Sequence, residues 1–237
     1  VEDPIEREIV KNAEMKAERD TVLARVHHVR PLTERTYVLR IDRCGIEFQP
    51  GQYFILSPVT SISIAREYSA YSGDRDPYLE FLIREVDDGS VSRMLKVLRP
   101  DDSVMLDGPY GNFVIEQPED RERKYLFVAS GTGIAPFRSL VRSHPSLDYR
   151  ILHGIRLASE CYDRDQYESS RFTSCVSRED GGDFRGRVTE YLQQKTVDPG
   201  HYCYFSGNSK MVYEALRILQ LQGVPRERLF TEVFFWG

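Results

Sequence analysis

Cysteine is scarce and scattered. The four, Cys44, Cys161, Cys175 and Cys203, include no pair at the short spacing of a zinc site or an iron–sulfur ligand set. They predict free, mostly buried thiols in a reducing cytoplasm and no metal site. Any electron carrier therefore has to be an organic cofactor or a separate protein. Long apolar runs are also missing: none approaches the ~20 residues that cross a bilayer. No basic-then-apolar segment at the N-terminus reads as a retained secretion signal. Positive charge is not in excess, since 32 Lys and Arg stand against 37 Asp and Glu, a net charge of −5. That balance argues against nucleic acid as the main partner. Two phosphate-binding signatures are absent as well: the three-glycine dinucleotide fingerprint, and a glycine loop ending in Lys-Ser or Lys-Thr.

What is present suits two cores. The chain has 237 residues, 41% of them hydrophobic and 29% charged, enough for two domains of ordinary size. Residues 1–20 and 21–118 each carry a net charge of −3, and residues 119–237 carry +1. An acidic first part and a near-neutral second part fit an anionic ligand in the second.

The chain opens with Asp3-Pro4-Ile5-Glu6, a helix start, and Ile5, Ile9, Ala13 and Ala17 recur every four residues. A helix over 1–20 follows, read as a surface helix packed on the body. From Thr21 to Gly108 six short alternating segments lie between Pro, Gly and Asp clusters, at 21–30, 36–41, 53–59, 67–72, 78–84 and 103–108, with one helix over 91–97. This pattern suggests an antiparallel barrel or sandwich, and the domain over 21–118 is read as an antiparallel β-barrel. The charged run 117–123 reads as a linker. Beyond it, strands at 124–130, 150–155, 172–177, 202–206 and 229–235 alternate with helices at 136–141, 188–194 and 210–222. Alternation of that kind predicts an α/β domain with a parallel sheet over 119–237.

Three local patterns carry chemistry. Gly131-Thr132-Gly133-Ile134-Ala135-Pro136 follows a strand, so the backbone turns tightly and a helix start faces a ligand. Alone it is an ordinary strand–helix turn as readily as a phosphate site. Arg66-Glu67-Tyr68-Ser69 lies on a barrel strand, and Asp88-Gly89-Ser90-Val91-Ser92 opens the one barrel helix. An arginine beside a hydroxyl-rich helix start makes a pyrophosphate cradle.

The three patterns in this order, with the turn Gly108-Pro109-Tyr110-Gly111 between them, resemble the ferredoxin–NADP⁺ reductase family. They are most similar to its compact bacterial ferredoxin/flavodoxin reductases. The resemblance runs from about residue 21 to 236 and includes Val176-Ser177-Arg178-Glu179, Gly186-Arg187, Gly207-Asn208 with Met211, and the tail Glu232-Val233-Phe234-Phe235-Trp236. It implies an FAD site in which Arg66 binds the pyrophosphate, Tyr68 and Phe234 cover the two flavin faces, and Phe235 lies near the adenine. Glu67, Leu82, Ser90, Val91, Ser92 and Thr132 complete that site by the same resemblance. It places Ser69 near flavin N5 and assigns Ser69, Glu232 and Phe234 to hydride transfer. For NADP(H) it implies Thr132, Gly133, Arg156, Ser177, Arg178, Arg187, Gly207 and Met211.

Three arginines at matching positions, Arg156, Arg178 and Arg187, favour NADP over NAD, because a fork of N–H donors suits the 2′-phosphate. The sequence departs from the family's pattern at Ser206, where a cysteine is common, at Phe234, where many members carry tyrosine, and at Gly237, which extends the tail. The expected activity is electron transfer between NADP(H) and a ferredoxin or flavodoxin, with a monomer favoured. The alternatives are an NADH-dependent reductase component of an oxygenase, and a flavin-binding electron-transfer subunit with no nicotinamide activity of its own. Arg93, Lys96 and Arg99 are candidates for a basic dock for an acidic carrier, and a solvated helix face explains them equally well.

Overall fold

The computed structural model describes residues 21–61, 64–87 and 89–234, the side chain of Phe234 excepted. The helix expected over 1–20, and Phe235 and Trp236, lie outside the described residues.

Strands β1 (Val22–Pro31), β2 (Thr36–Asp42), β3 (Tyr53–Pro58), β4 (Arg66–Ser69), β5 (Tyr78–Arg84) and β6 (Ser103–Tyr110) form one antiparallel sheet in the order β4-β3-β6-β1-β2-β5. A bridge between Ala70 and Phe81 joins its two edges, so the sheet curls into a barrel. Period-two alternation fills the interior: Ala24 and Val26 from β1, Tyr37, Leu39 and Ile41 from β2, and Leu79, Phe81 and Ile83 from β5 share one core. Helix α1 (Ser90–Lys96) plugs that core with Val91 and Leu95. It stops at Lys96, so Arg99 lies beyond it, and β4 ends three residues earlier than the sequence pattern suggests.

The second sheet is parallel throughout. Strands β7 (Lys124–Ser130), β8 (Asp148–Ile155), β9 (Phe172–Val176), β10 (Phe184–Arg185), β11 (Tyr202–Asn208) and β12 (Leu229–Phe234) lie in the order β10-β9-β8-β7-β11-β12. Helix α2 (Ala135–Ser143) follows β7, α3 (Val188–Gln194) follows β10, and α4 (Ser209–Leu221) follows β11. The two-residue β10 and three short 3₁₀ turns between Ala158 and Arg171 were not expected. Elements this short show no hydrophobic period to read.

The strands of this sheet are apolar on both faces. In β7, Leu126 and Val128 pack under α3 and α4, while Tyr125, Phe127 and Ala129 face the other way. That second face is covered partly by Phe137 and Leu140 of α2 and partly by the barrel, through Val38, Tyr71, Leu82, Phe113 and Ile115. The two sheets therefore share a core. The seat on the barrel is the outer face of the β2–β5 ribbon, whose register sets Thr36 opposite Arg84, Val38 opposite Leu82, and Arg40 opposite Glu80.

Around this apolar patch the seam is polar and paired. Glu80, 1% exposed, accepts from Arg40 Nε and Nη2 at 3.0 and 2.7 Å and from Arg138 Nη1 at 3.1 Å. Arg138 of α2 also donates to the Tyr71 carbonyl and to Gln166 Oε1, and its guanidinium lies 4.1 Å from the Tyr71 ring centre. Arg30 grips Asp163 with two bonds of 2.9 and 2.7 Å, and Tyr71 Oη donates to the same carboxylate. The Arg30 guanidinium holds the Asp163 carboxyl below its ordinary pKa despite burial.

Removing one partner from a buried ion pair strands the other charge without water. Arg138→Ala is expected to cost about 3–5 kcal/mol in urea unfolding. Arg142→Ala, which breaks the more exposed Arg142–Asp76 pair at the rim, should cost less than about 1 kcal/mol. Equal losses from the two variants would show that the buried seam carries no special share of stability.

Candidate functional site

In an open parallel sheet, ligands gather beyond the strand C-termini where the strand order reverses. Here that point lies between β7 and β11. The chain leaves β7 through a 3₁₀ turn, Gly131–Ile134, with Gly131 at φ +54° and Thr132 partly exposed. A Cβ at Gly133 would lie 2.4 Å from the Ser206 carbonyl oxygen, and one at Gly207, at φ +126°, 2.4 Å from Ser130 Oγ. Both glycines are thus required for the turn and the end of β11 to close on each other. Ser130 Oγ completes the junction by accepting from the Asn208 N–H at 2.9 Å. Beneath it, His153 Nε2 donates to the Gly131 carbonyl at 2.8 Å. Full burial lowers the His153 pKa to about 4, so the ring stays neutral and supports the turn. His153 and Ser130 were not singled out from sequence. The one available signal for His153 is a polar residue at a core-facing position of a strand.

On the barrel side, β4 carries Arg66, Glu67, Tyr68 and Ser69 antiparallel to β3, with Tyr68 opposite Phe54 and Ser69 opposite Tyr53. Arg66 is exposed and donates only to the neighbouring Ala65 carbonyl, with no carboxylate partner among the described residues. Tyr68 packs against the barrel core, and burial pushes its phenol pKa up. A free guanidinium and an aromatic ring on one strand fit the diphosphate and ring system of a flavin dinucleotide. Of Ser90, Val91 and Ser92 at the start of α1, Ser90 is exposed and the other two are buried. Val91 and Leu82 are buried in apolar cores. The Ser92 hydroxyl is committed to its own loop, accepting from the Val86 N–H and donating to the Gly89 carbonyl, both at 3.3 Å. Val91 and Ser92 thus have main-chain groups to offer and no free polar side chain.

The two halves meet at one hydrogen bond. Ser69 Oγ donates to Glu232 Oε2 at 2.9 Å, across 163 residues of sequence. Glu232 lies beside Ser206 in the β11–β12 register. Loss of water around the Glu232 carboxyl, with the charge of Glu67 nearby, lifts its pKa to about 7, and the Ser69 and Ser206 hydroxyls hold it from rising further. Phe234 closes β12 opposite Asn208. Its side chain, and Phe235, lie outside the described residues.

At the ends of β8 and β9, Arg156 and Arg178 are tied by the Arg178 N–H to Arg156 carbonyl bond of 3.0 Å. The Gly186 N–H to Val176 carbonyl bond, 2.8 Å, brings Arg187 to the same edge. All three side chains are exposed, and none forms an ion pair among the described residues. Ser177 Oγ donates to the Ile155 carbonyl at 3.1 Å and so locks β8 to β9. Met211 sits on the first turn of α4, partly buried.

A second cleft, of about 540 Å³, lies among Arg40, Arg138, Arg142, Tyr149 and Arg171, at the opposite ends of the parallel strands. Its arginines are already matched by Glu80, Asp76 and Glu168. The candidate dock is corrected in the same way: Lys96 is held by Glu85 Oε2 at 2.6 Å, and Arg93 Nε lies 3.7 Å from the same carboxylate. Two of the three expected free charges are therefore offset.

The raised Glu232 pKa has a definite sign. A carboxyl whose folded pKa lies above its unfolded value adds stability below the unfolded pKa, and this is lost as pH rises through the folded one. His153, lowered to about 4, acts oppositely over part of the range, so the Gln variant serves as the reference. The stability difference between wild type and Glu232→Gln should shift against wild type by on the order of 3 kcal/mol from pH 4.5 to 8. Urea unfolding across that range measures it; a flat difference would place the Glu232 carboxyl in water.

Comparison with known proteins supports an FAD-binding barrel and the two-domain fold. The family model described as an oxidoreductase FAD-binding domain matches residues 28–115. The chain is 28% identical to the toluate 1,2-dioxygenase electron transfer component of Pseudomonas putida, over 97% of this chain and 77% of that one. It is 28% identical to the propane 2-monooxygenase reductase component of Rhodococcus jostii, over 90% of this chain but 63% of the relative. Ferredoxin–NADP reductase B of Sorangium cellulosum is 27% identical, over 88% and 96% of the two chains. In fold, a ferredoxin NADP⁺ reductase from Neisseria gonorrhoeae with bound FAD and NADP superposes with a TM-score of 0.80 at 20% identity, covering 92% of this chain and all of that one. The barrel carries the match to an oxidoreductase FAD-binding domain, and the barrel with the parallel sheet behind it has the two-domain fold of ferredoxin–NADP⁺ reductases, the proteins this chain resembles.

Proposed function

We propose that the protein holds FAD in the barrel, takes reducing equivalents from NADPH at the parallel sheet, and passes electrons singly to an iron–sulfur carrier of an oxygenase system. The observation that carries the coenzyme choice is the group of three unpaired arginines at one sheet edge. A 2′-phosphate dianion is the group that NADPH has and NADH lacks, and guanidinium forks are suited to it. The relatives named as electron transfer or reductase components of oxygenases support the acceptor. A free ferredoxin or flavodoxin is the second reading, supported by relatives named as ferredoxin or flavodoxin reductases.

When bound, FAD supplies the capacity to accept a hydride pair and release it one electron at a time. The chain supplies position and charge. Arg66 faces the diphosphate, and Tyr68 offers a flat apolar wall. The glycine junction at Gly133 and Gly207 lets the nicotinamide end of the coenzyme approach the seam. Ser69 and Glu232 stand where the domains meet, and Glu232 holds a proton near neutral pH on the carboxyl that accepts from Ser69. Arg156, Arg178 and Arg187 bind the far end of the coenzyme.

Heat release and chromatography should yield FAD; recovery of FMN alone refutes the flavin assignment. With ferricyanide as acceptor, NADPH should be used better than NADH. Arg178→Ala and Arg187→Ala should each lose about 1.5–3 kcal/mol of NADPH binding, roughly a ten- to 150-fold drop in kcat/KM, mainly through KM. Use of NADH should hardly change. Equal losses for both coenzymes would move these arginines to the shared diphosphate or to the fold. Reduction of cytochrome c that requires an added ferredoxin, compared with direct reduction of an oxygenase component, separates the two acceptors.

A further inference from the structure

The residue that holds Arg156 in place belongs to neither coenzyme motif. Arg156 is the first residue past β8, where the ladder to β9 has ended at Ile155 opposite Val176. Its N–H therefore needs another acceptor. Glu160, four residues on and part of the short 3₁₀ turn Ala158–Glu160, turns back to supply it. Glu160 Oε2 accepts the N–H of Arg156 at 2.8 Å and that of Leu157 at 3.4 Å. The other oxygen, Oε1, accepts from Arg84 Nη1 of the barrel at 3.3 Å. Next to it, Tyr162 Oη meets Thr36 Oγ1 at 3.2 Å, and Thr36 and Arg84 are partners in the β2–β5 register. The Glu160 side chain is 12% exposed.

We propose that Glu160 is a positioning residue for coenzyme selection, acting through Arg156. This rests on the reading above that Arg156 serves the 2′-phosphate. A guanidinium discriminates a phosphate only if the backbone from which it projects is fixed, since otherwise ordering the loop consumes the binding energy. Two backbone N–H bonds to one carboxylate oxygen fix that backbone. The bond to Arg84 fastens the same carboxylate to the flavin barrel and offsets its negative charge at the edge where an anion is to bind. Glu160 thereby ties the end of the coenzyme strand to the domain that carries Ser69.

The geometry separates the roles of charge and reach. Glu160→Gln keeps a carbonyl oxygen at the same distance, whereas Glu160→Asp keeps the charge and draws it back by one methylene. In the full chain with FAD bound, Glu160→Ala and Glu160→Asp should raise KM for NADPH by roughly five- to 30-fold, with kcat and the NADH KM changed by less than about twofold. Glu160→Gln should restore the NADPH KM to within about threefold of wild type, since its amide oxygen still accepts both N–H groups. In an Arg156→Ala background, Glu160→Ala should add no further loss, because two residues acting as a unit are not additive. Steady-state kinetics with both coenzymes and ferricyanide, with flavin content and Tm measured alongside, reads all of this. Parallel losses for NADPH and NADH, or a drop in Tm or flavin content without a change in coenzyme preference, would overturn the proposal and leave Glu160 as a brace of the seam. If Glu160→Ala fails to fold, Glu160→Asp and Glu160→Gln decide the same question. An unchanged preference in Arg156→Ala would overturn the coenzyme role of Arg156 and this proposal with it. A lost preference in Arg156→Ala with none lost in Glu160→Ala or Glu160→Asp would overturn the proposal alone.

Discussion

A parallel sheet has two apolar faces, and this chain's helices cover only part of one of them. Helices α3 and α4 bury Leu126, Val128, Leu152 and Phe205 on one side. On the other, α2 covers what it reaches, and Val38, Tyr71, Leu82, Phe113 and Ile115 of the barrel half of the chain cover more. Burial of apolar area is worth about 25 cal/mol per Å², so leaving this face wet would be costly. The barrel is held against the sheet for that reason, and the contacts across the seam follow from it.

Hydrophobic burial sets the contact but has no direction. Orientation comes from the polar rim. Charges withdrawn from water must be paired, which confines Glu80 to Arg40 and Arg138, Asp163 to Arg30 and Tyr71, and Glu160 to Arg84. Each of these sets joins the barrel to a helix or turn of the second half. Together they make one mutual orientation of the halves much better than its neighbours, since sliding one half over the other would leave these buried charges without partners.

The Ser69–Glu232 contact depends on that orientation. A tilted seam would not bring Ser69 of β4 within hydrogen-bond reach of Glu232 of β12. The same enclosure that withdraws water from the Glu232 carboxyl raises its pKa toward 7. A loosely docked barrel would leave an ordinary carboxylate there. Structure and protonation are therefore set by one docking event.

The order and type of the elements were legible in the chain, because strand alternation, glycine turns and the charged run 117–123 are local signals. The stretch Arg66–Ser69 was legible as a strand, and 131–136 as a turn into a helix. Other features were not. The sequence marks Ser92 as a phosphate hydroxyl, yet the fold spends it on Val86 and Gly89. It leaves Lys96 as either a dock candidate or a solvated surface charge, and the fold pairs it with Glu85. Glu160 and His153 carry no motif, because their partners, Arg84 and Gly131, lie 76 and 22 residues away. By itself the sequence determined which segments pair with neighbours nearby in the chain and which residue types stand at each turn. Only the tertiary structure decided which charges are neutralised, which hydroxyls are already engaged, and which carboxyl is protonated near pH 7. Those properties depend on solvent exclusion and on groups brought within about 3 Å from distant parts of the chain.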